Sequence, residues 1–177
     1  MGEIKVKKVT LSGSGLDVEY VDELDNKVKM KGENPPHDDL KNAFKKLKTY
    51  FADITEQSET EPLDWDHPFD AKTQGIIDNI NVSSVSVKGY DGSEKAIMSG
   101  TRLLSTMKVL NLQSPPCGLC LDNEQYPKCE ELRDAVYEVL YEAKLYVTEQ
   151  KWGAIQQNLP FNGEGGDENP FGDEPEE

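Results

Sequence analysis

The apolar and polar positions at the start of the chain predict a half-buried strand with one irregularity. Ile4 and Val6 alternate with lysines, the pattern slips by one residue, and Val9 and Leu11 resume it. Such a slip is expected where one extra residue bulges out of a ladder. The same slip recurs 76 positions later in Ile80, Val82, Val85 and Val87. Gly13 and Gly89 close the two runs, and turn-forming residues follow each. Leu16, Val18 and Tyr20 alternate with Asp17 and Glu19 as a second strand, and Asp25-Asn26 supplies a turn. Lys27, Lys29 and Lys31 then alternate with Val28 and Met30 as a third. In the second run, Lys95–Thr101 and Met107–Leu112 hold the corresponding places. Both third strands lead into a diproline, Pro35-Pro36 and Pro115-Pro116. Proline has no amide donor and a fixed φ, so a ladder ends there.

A helical period follows each diproline. Leu40, Ala43, Phe44, Leu47, Phe51 and Ile54 form an apolar stripe, and so do Leu132, Ala135, Val136, Val139, Leu140 and Ala143. Acidic residues lead both helices, where the positive end of the dipole favours them. The predicted fold is therefore α+β: a tandem β-β-β-α repeat forming one antiparallel sheet with two helices on one face. Residues 1–54 form the first unit, 55–79 an acidic connecting loop and 80–152 the second unit, with 1–152 as one folded domain. A five-stranded oligonucleotide-binding barrel also opens with strands and a helix, but the repeat calls for six strands and two equivalent helices. The helices are expected to cover Ile4, Val6, Val18 and Val28, leaving Lys5, Lys7, Asp17, Glu19, Lys27, Lys29 and Lys31 on the other face. The free edges of such a sheet leave edge-to-edge dimerisation open.

Charge changes the picture at two places. Of the net −15, residues 55–79 hold −6 and residues 153–177 hold −7, so the remainder is close to neutral. Residues 153–177 are rich in glycine and acids and carry no base. They cannot build a core, and a disordered acidic tail is predicted. No apolar run is long enough to span a bilayer and no signal-like segment opens the sequence. Three cysteines make a poor disulfide framework. A cytoplasmic protein is expected.

Four groups of residues could carry chemistry. Lys27, Lys29 and Lys31, with Lys5 and Lys7 on an adjoining strand, could follow a phosphate backbone. Cross-strand pairing with Asp17 and Glu19 would make the same lysines a solvated face. Cys117 and Cys120 form a CxxC, with Cys129 beyond it. His37 follows the first diproline as Cys117 follows the second, which makes it the candidate fourth zinc ligand; free thiols are the alternative. The acidic insert groups Asp64, Asp66, His67 and Asp70 around Trp65 and Phe69, where a hard cation or a solvated loop are the two readings. The tail holds Pro160-Phe161 and Pro170-Phe171, each a candidate docking unit in which phenylalanine fills a pocket and the acids meet basic residues around it. No phosphate-loop, dinucleotide, zincin or hydrolase motif occurs, so no enzyme and no cofactor are expected.

The acidic Pro-Phe tail resembles the C-terminal tips of bacterial and phage single-stranded-DNA-binding proteins. In that family the tip recruits replication and repair proteins and competes with DNA for the basic groove. Here Gly172–Glu177 follow the last phenylalanine, which that family's pattern lacks. The body resembles small uncharacterised proteins of bacteriophages and prophages, through Pro35-x-His37-x-Asp39-Leu40, Lys108–Leu112 and the stretch from Lys151 to Phe161. Together these imply a phage-type accessory protein of DNA metabolism, acting in a bacterial cytoplasm. It would bind single-stranded nucleic acid and recruit replication or recombination proteins. The alternative is an acidic inhibitor or DNA mimic that occupies a site on a host defence or replication protein.

Overall fold

A computed structural model describes residues 3–13, 15–57, 71–90, 92–119 and 126–153. The chain runs β1 (Lys5–Ser12), β2 (Gly15–Val21), β3 (Lys27–Gly32), α1 (Asp38–Ile54), α2 (Ala71–Asp78), β4 (Ile80–Lys88), β5 (Lys95–Leu103), β6 (Val109–Gln113), β7 (Cys117–Gly118) and α3 (Cys129–Thr148). It is an α+β fold with one antiparallel sheet of seven strands. The strand order is β3-β2-β1-β4-β5-β6, with the short β7 also paired to β5. The order is symmetric about the central β1–β4 pair.

The irregular alternation produces what it predicts. The register shifts between Val6 and Lys8 in β1, and again between Val82 and Ser84 in β4. Each extra residue lets the apolar positions before and after it face the same side. Val6, Val9, Leu16 and Val18 therefore share a buried face with Ile80, Val82, Val85, Val87 and Met98. The stripes of α1 and α3 complete this core through Leu40, Phe44, Leu47, Phe51, Leu132, Val136 and Val139. The helices cross over: α1, which follows the first three strands, packs on β4, and α3 packs on β1. Gly100 is a point of close approach. A Cβ there would lie 2.1 Å from the carbonyl oxygen of Asn81 and 3.0 Å from the Phe51 ring.

Several expectations need correction. The segment read as a connecting loop over 55–79 contains a third helix, α2. The second unit's middle strand runs on to Leu103, and its last strand begins at Val109 because Met107 takes a positive φ of 60° in the turn. Ile4 and Val28, expected in the core, are only half-buried at its margin. Among the described residues, no helix is long and apolar enough to cross a membrane.

Candidate nucleic-acid interface

Strand alternation decides which side chains occupy the face away from the helices. Lys8 sits opposite Glu19, which sits opposite Lys29, and Thr10 sits opposite Asp17, which faces Lys31. Lys5, Val21 and Lys27 make the next row. On the other half, Lys88 lies directly opposite Lys95. The strands thus present Lys5, Lys8, Lys27, Lys29, Lys31, Lys88 and Lys95 on this face. Against these seven lysines stand two carboxylates, Asp17 and Glu19, a balance of five positive charges. The middle of the face is a band of hydroxyls and amides, with Thr10, Ser84, Ser86, Ser99, Thr101, Asn111 and Gln113 across four strands. Thr10 and Ser84 hydroxyl oxygens are 2.9 Å apart, and the Ser84 hydroxyl donates to the Val9 carbonyl at 3.1 Å.

The lysines are unequally paired. Glu19 holds Lys29 at 2.9 Å and Lys8 at 3.8 Å. The Lys29 hydrogen bond is the largest cause of the lowered Glu19 pKa, and it correspondingly raises that of Lys29. A lowered carboxylate pKa means that the pair contributes above the unfolded value and is lost as pH falls through the folded one. Both charges are therefore present at neutral pH. Lys88 and Lys95 face each other as like charges, an arrangement that costs stability and that an anion relieves.

Lys5, Lys27, Lys29 and Lys31 stand on this face as the alternation predicts. Lys7 takes another position. The bulge passes the place opposite Glu19 to Lys8, and Lys7 reaches Glu94 at 3.9 Å. Sequence reading missed Lys8, Lys88 and Lys95. The slip of alternation marks either Lys7 or Lys8 as the extra residue without choosing between them, and Lys88 and Lys95 flank the Gly89 turn of the second unit.

Of the candidate zinc ligands, the three among the described residues, His37, Cys117 and Cys129, do not come together. Cys129 opens α3, and its thiol is 3.3 Å from the Gly118 carbonyl. Burial chiefly, with Cys129 beside it, pushes the Cys117 thiol up, away from the thiolate that a metal or a redox partner needs. His37 is at the far end of the helix pair. It caps α1, accepting from the Asp39 amide at 3.3 Å, and Asp39 pairs with Lys151 at 2.7 Å beyond the C-terminus of α3. Twenty helical residues, a length of about 30 Å, separate the two ends of α3. His37 is therefore no ligand partner for Cys129. Among the described residues, no three His, Cys, Asp or Glu side chains gather to hold a metal. Cys120, Asp64, Asp66, His67 and Asp70, and the docking residues Pro160, Phe161, Pro170 and Phe171, lie outside the described residues.

The last described residues are well tied to the end of the first unit. Trp152 bridges to Pro36, the Gly153 amide donates to the Pro35 carbonyl at 2.8 Å, and the Tyr146 hydroxyl donates to the Asn34 carbonyl at 2.6 Å. Gly153 is thereby held beside the Asn34–Pro36 segment that follows β3, the strand that bears three of the lysines. On the helix side the charge is of the opposite sign: Glu131, Asp134 and Glu138 line a groove between α1 and α3, with Lys46 bound to Glu138 at 2.7 Å. No family model, curated protein or solved structure matches this chain.

Proposed function

We propose that the chain binds single-stranded nucleic acid through the open face of its sheet and recruits partner proteins through the Pro-Phe units at 160–161 and 170–171. It would act as an accessory protein of DNA metabolism, of the kind bacteriophages encode, in a bacterial cytoplasm. The observation that carries the reading is the balance of five positive charges on one sheet face of a chain whose net charge is −15. Such a face attracts phosphates by releasing their counterions, and the hydroxyl band offers further donors to phosphate oxygens. We read the chain as a tandem duplication. The two bulges, 76 residues apart, and the symmetric strand order support that reading.

The test compares the whole chain with a chain ending at Gly153, using a fluorescent single-stranded oligonucleotide across a salt series. Affinity should fall steeply with salt for both and be tighter for the shortened chain, because residues 154–177 carry acids and no base. Absence of binding by either chain at low salt would sink the reading. It would turn attention to the acidic helix groove and a basic protein partner, the inhibitor alternative. A second expected result concerns Glu19. Glu19→Gln removes the carboxylate that holds Lys8 and Lys29, and should tighten oligonucleotide binding by roughly fivefold at low salt. Weaker binding by this variant would show that the carboxylate positions the lysines and does not merely neutralise them.

A further inference from the structure

Phosphate-binding groups are plentiful on the open face, but its strands offer no ring on which a base could stack, because Tyr20 packs on the core side. Rings are found at the end of the sheet. Pairing between β1 and β4 runs only from Thr10 to Lys8, so the first residues of β1 part from β4. This leaves a cleft of about 420 Å³ between the strands and α3. Ile4, Val6, Val87 and Leu140 supply its apolar surface. Tyr137 and Tyr141 stand along the α3 wall, one helical turn apart, with 40% and 58% of their surface exposed. The Tyr137 hydroxyl donates to Glu94, whose carboxylate also meets Lys7. Lys144 pairs with Glu3 at 2.5 Å on the rim. The Glu94 contact orients the Tyr137 ring in advance of any ligand.

The cleft is continuous with the basic face. Lys88 follows Val87, and Lys95 follows Glu94, each placing a lysine on the open side next to a residue that lines the cleft. Lys5 belongs to both, lining the cleft and sharing the outer row with Lys27. Proteins that hold single strands combine a charged track for the backbone with aromatic platforms for the bases. We propose that this cleft is a base-stacking subsite, in which a strand whose phosphates pass Lys88, Lys95 and Lys5 turns its bases over the sheet end onto Tyr137 and Tyr141. The inference rests on the reading of the open face as a nucleic-acid interface. It adds a selectivity: a duplex can meet the lysines, but its paired bases cannot enter the cleft.

The test uses the full chain with Tyr137→Ala and Tyr141→Ala together, a fluorescent oligothymidine of about 16 nucleotides and a duplex of the same length. Single-strand affinity should fall on the order of 10-fold. The salt slope and duplex affinity should stay unchanged, because no phosphate contact is lost. Tyr141→Phe keeps the ring and should retain the single-strand affinity. If the unaltered chain binds but the double variant stays within about twofold of it, the subsite is overturned and the open-face reading stands. Equal losses on single strand and duplex would likewise overturn the subsite. If the unaltered chain binds no oligonucleotide, both fall together. Should the double variant fail to fold, Tyr141→Ala alone, at the more exposed position, decides by the same criteria.

Discussion

Replacing Lys29, Lys31, Lys88 and Lys95 together by glutamine should reduce oligonucleotide affinity on the order of 1,000-fold at about 50 mM salt. It should also lower the slope of log affinity against log salt by about 0.7 for each lysine that meets a phosphate. The four residues are exposed and stand on β3, β4 and β5, so together they sample both halves of the face. Folding should be little changed. Among the described residues, the close ion pair lost is Lys29 with Glu19, a solvent-exposed contact of little worth to the fold, and the Lys88–Lys95 repulsion is removed at the same time. The measurement is fluorescence anisotropy across a salt series, with a thermal melt as the check on folding. A change in affinity of less than about threefold would place the binding site elsewhere. A loss of affinity with an unchanged slope would point to contacts other than phosphate.

Phe51→Ala should lower the stability of the domain by about 3–5 kcal/mol, a large part of the about 5–15 kcal/mol typical of a folded protein. Phe51 is fully buried, and its ring lies against the strand pair at Gly100. No neighbouring backbone can collapse into the space it would leave, because the sheet is held by its ladder on both sides of that point. The check is urea unfolding, with a lower midpoint at an unchanged slope. Gly100→Ala should also destabilise, by a different route, since its new methyl would overlap the Asn81 carbonyl. The two changes together should be worse than either alone. The clash is mainly with backbone, and emptying the Phe51 site does not relieve it. Rescue of Gly100→Ala by Phe51→Ala would show that the ring, not the carbonyl, sets the limit. Lys45→Ala, on the exposed side of the same helix, should change stability by no more than about 0.5 kcal/mol.

The legible parts of this chain are those written in a local period. Alternation gave six of the seven strands but not the two-residue β7, its slips gave both bulges, and the i, i+3, i+4 stripes gave α1 and α3. What was not legible depends on neighbours that are distant in sequence. Lys7 and Lys8 are indistinguishable until the ladder chooses which of them faces Glu19. The tyrosines of α3 look like ordinary helix surface until β1 parts from β4 beside them. His37 and Cys117 follow their diprolines in the same way. In a sheet symmetric about its middle, however, residues at corresponding positions lie on opposite sides of that middle, not together. The helix at 71–78 has only a weak apolar stripe, and acidic composition outweighed it.

The crossing of the two helices also bears on how the protein is made. The apolar side of α1 packs on β4, which is not synthesised until about thirty residues later, and on α3, which is later still. The sheet under α3 was finished long before α3 itself emerges. At the usual pace of about 5–20 residues per second, α1 spends seconds on the ribosome with its apolar side bare. Neither half can mature by itself. A chain cut between α1 and α2 should yield two fragments that stay unfolded separately and regain the native spectrum when mixed.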